Sequence, residues 1–242
     1  MNPSHPVANG IQEITIPGFH QVILRVLTNH LGKASEANLL DAGAGHGALS
    51  HQLKQLGYRV SACDLNPELF QAKDVEFRQA DISRNIPWEN ESFDGVVAVE
   101  VTEHLDQVLR FFQEVHRVLK PEGFFLFSTP NILSLKSRIR FLLSGYCYSF
   151  HPISDQEQDA VRHHITPLPY ELYELRLRWS GFTVSDIFID KRQRSSLAGM
   201  ILYPCICLYC LLKLKSTSSS RIQNRPQLLL GRTLIIWATK QR

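Results

Sequence analysis

The sequence lacks a strong excess of charge of either sign. Its 242 residues include 26 Lys and Arg against 23 Asp and Glu, which gives a formal net charge of +3. Proteins that bind nucleic acid normally carry a marked basic patch, so this balance indicates no nucleic-acid partner. The first residues, "MNPSHPVANGIQ", also lack the basic start and the apolar run of a secretory signal. We therefore expect a cytoplasmic protein.

Cysteine is scarce, and its spacing is irregular. There are five cysteines, an odd number, and their spacing matches no paired metal knuckle. We expect reduced thiols rather than disulfides. No internal repeat is present either, so the length fits one domain over residues 1–242. The cysteines are Cys63, Cys147, Cys205, Cys207 and Cys210.

No apolar run reaches the roughly 20 residues that a helix needs to span a bilayer. The most apolar stretch, residues 196–215, has an uncharged part, Leu197–Leu212, that falls short of this length, and Pro204 interrupts it. A buried hairpin or packing helix is one interpretation of this stretch. A segment lying in the membrane interface is the other, because basic residues flank it. These residues are Lys213, Lys215 and Arg221.

What the sequence does contain is a series of short β-type runs that alternate with amphipathic helical patterns. This alternation predicts an α/β fold with a doubly wound, mostly parallel sheet, an antiparallel last strand, and helices on both faces. The segment "KPEG" at 120–123 predicts a proline-initiated turn into the fifth strand. The predicted strands are 37–43, 58–66, 74–83, 92–101, 124–131, 182–190 and 232–240.

Three segments fall outside this alternation. Residues 1–37 form an N-terminal segment with one predicted helix. Residues 132–165 and 191–231 are insertions after the fifth and sixth strands, whose carboxyl ends should face or adjoin a ligand site. We interpret the first insertion as a substrate lid. The second is a candidate membrane contact, together with the basic and apolar stretch 135–143. That stretch carries Lys136, Arg138 and Arg140.

A glycine turn follows the first predicted strand in "LLDAGAGHGALSHQL", residues 39–53. Gly43, Gly45 and Gly47 would let the backbone turn tightly and leave room for a ligand at the N-terminus of the next helix. Two ligands compete for such a turn, a dinucleotide and S-adenosylmethionine. The alternate spacing departs from the dinucleotide pattern G-x-G-x-x-G. Asp64, at the end of the second strand, could bind the ribose hydroxyls of either ligand.

Five segments in order resemble the successive motifs of class I S-adenosylmethionine-dependent methyltransferases. Their spacing is most similar to the small-molecule branch that includes the ubiquinone-biosynthesis O-methyltransferases. The resemblance covers residues 38–131 strongly, and 160–190 and 231–240 loosely. The segments are "LLDAGAGHGALS", "SACDLN", "RQADIS", "FDGVVAVEVTEHL" and "HRVLKPEGFFLFSTPN".

The resemblance implies a role for residues at the methionine end of S-adenosylmethionine. Gly43, Gly45 and Gly47 would let the backbone approach the methionine part of the cofactor. Asp41 would lie near its amino group, in direct contact or through water. Glu100, at the end of the fourth strand, would face the same end.

The resemblance also implies contacts with the nucleoside. Asp64 would hold the ribose hydroxyls, and Leu65 would flank the adenine. Asp81 would meet the adenine amino group, while the backbone of Ile82 would meet a ring nitrogen. A cap or an exposed loop position is the alternative for each carboxylate taken singly, and the ordered set outweighs it.

The catalytic residues are predicted from the sequence "EVTEH" and from "HHITP". A hydroxyl acceptor must lose its proton, normally to a histidine or a carboxylate. His104 is the first candidate base, His164 the second, and Glu103 lies beside His104. A packing role at the start of a helix is the alternative for His104. Glu100, Glu103 and His104 also resemble a metal-ligand group of some quinone methyltransferases, but the set is incomplete and we predict no metal.

The leading functional hypothesis is a methyltransferase that uses S-adenosylmethionine and acts on a small, lipid-linked or isoprenoid acceptor. Peripheral contact with the cytoplasmic membrane face would accompany such an acceptor. Two alternatives remain at this point. One is a protein that binds S-adenosylmethionine without transferring methyl, and the other is an NAD-linked oxidoreductase, which the glycine spacing disfavours.

Overall fold

A seven-stranded sheet organises the computed structural model, which describes residues 7–8, 10–32, 36–152, 163–213 and 222–242. A separate ribbon pairs Val7–Ala8 with Ile11–Gln12. The strands of the main sheet are β1 (Asn38–Ala42), β2 (Arg59–Asp64), β3 (Glu76–Gln79), β4 (Phe93–Ala98), β5 (Leu119–Pro130), β6 (Phe182–Ile189) and β7 (Thr233–Lys240).

The order of the strands is β3-β2-β1-β4-β5-β7-β6. Strands β1 to β5 pair in parallel, whereas β7 lies antiparallel between β5 and β6. The order therefore reverses beside β1, which is where open sheets of this type place their ligands. The predicted doubly wound sheet with an antiparallel last strand is confirmed.

Helices cover both faces of the sheet, as the sequence predicts. On one face, Ile23 and Leu49 pack in the same cluster as Leu126 of the sheet. On the other, Phe112 and Tyr173 pack in the same cluster as Phe125. The helices are α1 (Phe19–Leu31), α2 (Ala48–Gln55), α3 (Val108–Val118), α4 (Leu135–Ser144), α5 (Tyr170–Trp179), α6 (Arg194–Gly199), α7 (Tyr203–Lys213) and α8 (Pro226–Leu230).

The predicted turn at 120–123 is wrong in one respect, because these residues belong to β5. The strand begins at Leu119, opposite Phe93, and its register then shifts so that Phe124 lies opposite Gly95. Glu122 takes a positive φ of 65° inside this irregular stretch. Residues 120–123 are thus extra residues accommodated within one strand, a bulge-like feature that sequence periodicity does not reveal.

Both insertions leave the sheet at the same edge. Pro130, the last residue of β5, pairs with Thr233, and Ile189, the last residue of β6, pairs with Leu234. The carboxyl ends of β5 and β6 therefore lie on the edge that carries the glycine turn, on either side of the start of β7. Residues 153–162 and 214–221 of the insertions, including Lys215 and Arg221, lie outside the described residues.

Gly95 provides a test of the packing between β4 and β5. A Cβ atom added at Gly95 would overlap the ring of Phe124, which is held in place by stacking on Trp237 at 4.3 Å. We expect Gly95→Ala to lower the free energy of unfolding by about 1–3 kcal/mol in urea titrations, because the core is overpacked. The same substitution should cost less in a Phe124→Leu background. Equal costs in both backgrounds would show that the ring is not the cause.

Candidate active site

The glycine turn joins β1 to α2 in a left-handed backbone conformation. Gly43, Gly45 and Gly47 have φ values of 80°, 53° and 81°, a region that side chains disfavour. The turn is tied to the neighbouring strand, since the N–H groups of Gly43 and Ala44 both donate to the carbonyl oxygen of Cys63, at 2.8 and 3.1 Å. The alternate glycines are therefore explained by backbone conformation.

The space beside two of these glycines is occupied by protein. A Cβ at Gly43 would come within 2.5 Å of Val101, and one at Gly47 within 2.6 Å of Phe70. The room that the sequence predicted for a ligand is filled by side chains at these two positions. Gly45 differs, because a Cβ there would meet a single atom within 4 Å, Cδ1 of Ile14 at 3.2 Å.

Asp64 lies at the end of β2, directly beside the turn. Its Oδ2 accepts a hydrogen bond from the N–H of Gly45 at 2.9 Å, and its Oδ1 accepts one from the N–H of Asn66 at 3.0 Å. The next residue, Leu65, leaves 48% of its surface exposed. An open apolar side chain next to an oriented carboxylate suits a nucleoside, whose base is apolar on its faces and whose ribose offers hydroxyls.

Asp81 and Ile82 follow β3 on the same edge. The Asp81 carboxylate accepts hydrogen bonds from the N–H and the hydroxyl of Ser83, at 3.1 and 2.6 Å, and pairs with Arg84 at 3.0 Å. The Ile82 side chain is buried in the core, so only its backbone is left to meet a ligand. The roles predicted for this pair remain predictions.

Asp41 is buried beneath the turn, near the end of β1. Its Oδ2 accepts a hydrogen bond of 2.5 Å from the hydroxyl of Ser50 in the first turn of α2. Burial raises the pKa of Asp41 to about 6, the Ser50 hydrogen bond opposes this, and nearby Asp64 adds to it. Only 2% of Asp41 is exposed, and its contact with the amino group of the cofactor stays a prediction.

Glu100 follows β4 and has a strained backbone, with a φ of 54°. Its N–H donates to the hydroxyl of Ser128 on β5 at 2.9 Å, and its Oε2 accepts a hydrogen bond of 2.6 Å from Thr15. Burial raises the pKa of the Glu100 carboxyl. Strained residues that are held by several partners are concentrated at functional sites, which agrees with the role predicted for Glu100.

Residues 11–15 form a strap across the glycine turn, which sequence reasoning missed. Thr15 binds Glu100, Ile14 lies against Gly45, and the carbonyl oxygen of Gln12 lies 3.1 Å from Nδ1 of His46. Glu13 accepts a hydrogen bond from Gln52 of α2 at 2.9 Å. Each contact joins residues more than 30 positions apart, so no local pattern in the sequence could predict the strap.

Glu103, His104 and His164, the three residues predicted to be catalytic, lie together at the end of β4. One ligand atom from each lies within 4.8 Å of the others, and the two imidazole rings have centroids 4.7 Å apart. The backbone explains this meeting, because the carbonyl oxygen of Glu103 accepts hydrogen bonds from the N–H groups of Ile165 and Thr166. These bonds hold His164 beside a turn that lies about sixty residues earlier in the chain.

The protonation states in this cluster follow from its hydrogen bonds and burial. Nδ1 of His104 lies 3.0 Å from the carbonyl oxygen of His163, which can only accept, so Nδ1 carries the proton. Burial lowers the pKa of His104, and burial together with neighbouring His104 lowers the pKa of His164 to about 4. At neutral pH His104 therefore presents an unprotonated Nε2.

Glu103 is the third member of the cluster. Burial, and then the nearby Glu100 carboxylate, raise the pKa of Glu103 well above its usual range. Among the residues that the structure describes, neither carboxyl oxygen of Glu103 has a hydrogen-bond partner, and Nδ1 of His164 has none. Buried polar atoms without partners are rare in folded proteins and often mark the place of a ligand or ion.

The cluster offers two imidazoles and one carboxyl, a donor set that suits a divalent transition metal. It differs from the group named in the sequence analysis, since His164 takes the place of Glu100. Glu100 is instead bound to Thr15. The same three residues can thus accept a proton directly or hold an ion that would lower the pKa of an acceptor hydroxyl.

Comparisons with known proteins agree with this geometry. The family described as "Methyltransferase domain" matches residues 40–127, which run from β1 into β5. The ubiquinone biosynthesis O-methyltransferase of Rattus norvegicus mitochondria is 29% identical over 149 residues. The probable S-adenosylmethionine-dependent methyltransferase of Mycolicibacterium smegmatis is 30% identical over 187 residues. Residues 40–127 form a methyltransferase domain of the class I, S-adenosylmethionine-dependent type.

The matches cover only part of these relatives. The aligned regions take in 56% of this chain and 42% of the rat protein, and 72% of this chain and 65% of the mycobacterial one. A methyltransferase structure from Archaeoglobus fulgidus superposes with a TM-score of 0.58 over 91% of this chain and 94% of that one, at 19% identity. That likeness is a likeness of fold.

Membership of this methyltransferase family implies S-adenosylmethionine as the methyl donor. The residues fit this cofactor, because Asp64 and exposed Leu65 adjoin the glycine turn and half-buried Glu100 follows the next strand on the same edge. The family leaves the NAD-linked alternative without support. Which residues touch the cofactor is still a prediction from the resemblance.

Asp41 generates a prediction about stability. Its pKa is about 6 when folded against a usual 3.8, so the folded state prefers the protonated form. The folded protein therefore loses stability as pH rises from about 4 through 6, by about 3 kcal/mol. Asp41→Asn should remove this loss, with its gain in unfolding free energy larger at pH 8 than at pH 4. Exposed Asp106→Asn is the control, and an equal effect at both pH values would contradict the assignment.

Asp64 generates a prediction about cofactor binding. Asp64→Ala removes the acceptor proposed for both ribose hydroxyls, so the Kd for S-adenosylmethionine in calorimetry should rise about 10- to 100-fold. Asp74→Ala changes an exposed carboxylate that pairs with His51 and Lys54, and serves as the matched control. An unchanged Kd for Asp64→Ala would place the ribose elsewhere.

Proposed function

We propose that this methyltransferase transfers the methyl group to a hydroxyl on a small acceptor that is carried by a lipid or isoprenoid chain. The observation that supports an oxygen acceptor is the unprotonated Nε2 of His104, set beside two buried groups that lack partners. A hydroxyl can place its oxygen and its proton among such groups. The rat relative is named as an O-methyltransferase, which agrees with this class of acceptor.

Methyl transfer to a hydroxyl needs an activated methyl group, alignment of the two reactants and removal of the hydroxyl proton. S-adenosylmethionine supplies an electrophilic methyl group on a good leaving group. The residues at the edge of the sheet hold the reactants in line, and such alignment can lower a barrier by about 7–11 kcal/mol. Nε2 of His104 takes the proton from the acceptor hydroxyl, and the Glu103 carboxyl, whose pKa is raised by burial, lies beside it as a hydrogen-bond partner.

The lipid or isoprenoid part of the proposal is supported by the two insertions. They leave the sheet at the edge that carries the cluster, and the segment after α4 reaches the cluster directly, since the rings of Phe150 and His164 have centroids 5.4 Å apart. α4 itself exposes Phe141, Leu142 and Leu143 to solvent. An apolar chain attached to the acceptor could lie along this surface while its hydroxyl reaches His104.

A second candidate role for the cluster is to bind a divalent metal ion. The observation that favours it is the closeness of one carboxyl oxygen and two imidazole nitrogens, within 4.8 Å of one another. A bound ion would supply Lewis acidity that lowers the pKa of an acceptor hydroxyl. The residues that hold the acceptor are the same in both cases, so the two roles are separated by experiment.

Substitution of His104 tests the proposal. We expect His104→Ala to lower kcat by about 10²–10⁴-fold, because proton removal contributes by that amount, with little change in the Kd for S-adenosylmethionine. His116→Ala is a matched control, since burial also lowers the pKa of His116 but that side chain lies beside Gly181 at the other edge. Methyl transfer from labelled S-adenosylmethionine to a lipid extract is the measurement. Turnover close to wild type would return His104 to a packing role.

Removal of metal ions by a chelator separates direct proton transfer from metal binding, and product analysis tests the non-catalytic alternative. Direct proton transfer predicts that turnover survives dialysis against EDTA. Loss of turnover that Mn²⁺ or Zn²⁺ restores would assign the cluster to a metal ion. Binding of S-adenosylmethionine without a methylated product from any extract fraction would favour the non-catalytic binding protein.

A further inference from the structure

Residues Arg194–Lys213, which follow β6, form an apolar rod whose second half, α7, has no buried residue. It comprises α6, a 3-10 turn at Met200–Leu202, and α7, over Arg194–Lys213. By length and composition this 20-residue stretch could cross a membrane, and only 11% of its most apolar part is buried. A core helix of this composition would be mostly covered, so the packing interpretation of this stretch does not fit.

α4 extends the apolar surface of the rod. α6 packs against α4, because a Cβ at Gly199 would lie 3.3 Å from Leu135. The end of α4 exposes Leu142 and Leu143, at 83% and 80%, and the end of α7 exposes Leu211 and Leu212, at 79% and 70%. The two helices are linked through Asn224, which accepts a hydrogen bond from Arg138 of α4 and donates one to Cys210 of α7. We name this surface the apolar ridge. It consists of Phe141, Leu142, Leu143, Ile201, Leu208, Leu211 and Leu212.

The charge around the apolar ridge has one sign. Residues 132–152 and 191–213 contain no Asp or Glu. Arg138 does not belong to this basic rim, because it is half-buried and donates to the oxygens of Leu133 and Asn224, at 2.8 Å each. The sequence had predicted Arg138 as part of the membrane contact, together with Lys136 and Arg140, and this prediction is wrong for Arg138. The rim consists of Lys136, Arg140, Lys191, Arg192, Arg194 and Lys213.

We propose that the apolar ridge inserts peripherally into one leaflet of a membrane that carries anionic lipid, on its cytoplasmic face. Exposed leucines enter the acyl region, and the basic rim meets the lipid headgroups. A second copy of the chain fits this surface poorly. A two-fold contact would bring the same basic rim against itself, with no acidic residue in either segment to neutralise it.

The packing of α6 explains why the rod does not span the bilayer. Gln193, Ser196 and Gly199 form a buried stripe on its inner side. α6 is therefore held by protein, and α7 is the part that is free to enter lipid. Its 11 residues make a helix of about 16 Å, roughly half of the 30 Å hydrocarbon core.

The position of the apolar ridge gives it a function. α4 follows β5 and the rod follows β6, and both strands end at the edge that carries the Glu103–His104–His164 cluster. Docking would thus turn the cluster toward the headgroup region, where a lipid-linked acceptor presents its polar part. This role of the apolar ridge rests on the proposed function. Vesicle binding can nevertheless be measured without a known methyl acceptor, so the two can fail separately.

Flotation with vesicles of phosphatidylcholine, with and without phosphatidylglycerol, tests the proposal on the full chain. We expect binding to the mixed vesicles, with a loss of about tenfold or more in pure phosphatidylcholine or in high salt. The variant Leu142→Ser, Leu143→Ser, Leu211→Ser, Leu212→Ser should lose binding to a similar extent. Its circular dichroism and its Kd for S-adenosylmethionine should match wild type, because all four side chains are exposed.

Trp179→Ser is the matched control, because this side chain is 64% exposed at the end of α5, next to the start of β6 on the opposite edge. It should bind vesicles as wild type does. Four results would overturn the proposal. These are no binding to mixed vesicles, unchanged binding by the fourfold variant, resistance of the bound protein to alkaline carbonate, and a dimer in solution that the fourfold variant dissociates. The third would indicate a spanning helix, and the fourth a second copy as the occupant.

Discussion

Backbone pairing on either side of β1 holds the carboxyl ends of three parallel strands level. Asp41 lies opposite Ala62 of β2 and opposite Val97 of β4. This register brings Asp64 to the glycine turn and places Glu100 and the Glu103–His104 turn on the same edge. A slip of one residue in either pairing would turn these side chains to the other face of the sheet. The candidate active site therefore depends on this register.

Burial gives the same edge its electrostatic character. Asp41, Glu100 and Glu103 all have raised pKa values, chiefly because they are removed from water. Asp41 is held by the hydroxyl of Ser50 and Glu100 by that of Thr15. A site from which water is largely removed favours the attack of an oxygen on a sulfonium methyl group, because hydrogen bonds and dipoles act strongly there.

The sequence predicted the sheet well, because parallel strands buried on both faces are apolar runs bounded by turn residues. It also proposed Glu103, His104 and His164 as catalytic candidates, although not that they meet. Their meeting depends on the Glu103 carbonyl oxygen binding Ile165 and Thr166, which no spacing rule encodes. Three further features could not be predicted for the same reason. They are the bulge at 120–123, the strap at 11–15 and the inward position of the Arg138 side chain. Each depends on contacts between residues that are distant in sequence or on the register of a neighbouring strand.

A crystal structure grown with S-adenosylhomocysteine tests the central claim most directly, because this product keeps the nucleoside and the sulfur of the cofactor. The account predicts ribose hydroxyls on the Asp64 carboxylate and a sulfur that faces the Glu103–His104–His164 cluster. A nucleoside bound at another edge of the sheet, or a sulfur directed away from His104, would contradict it.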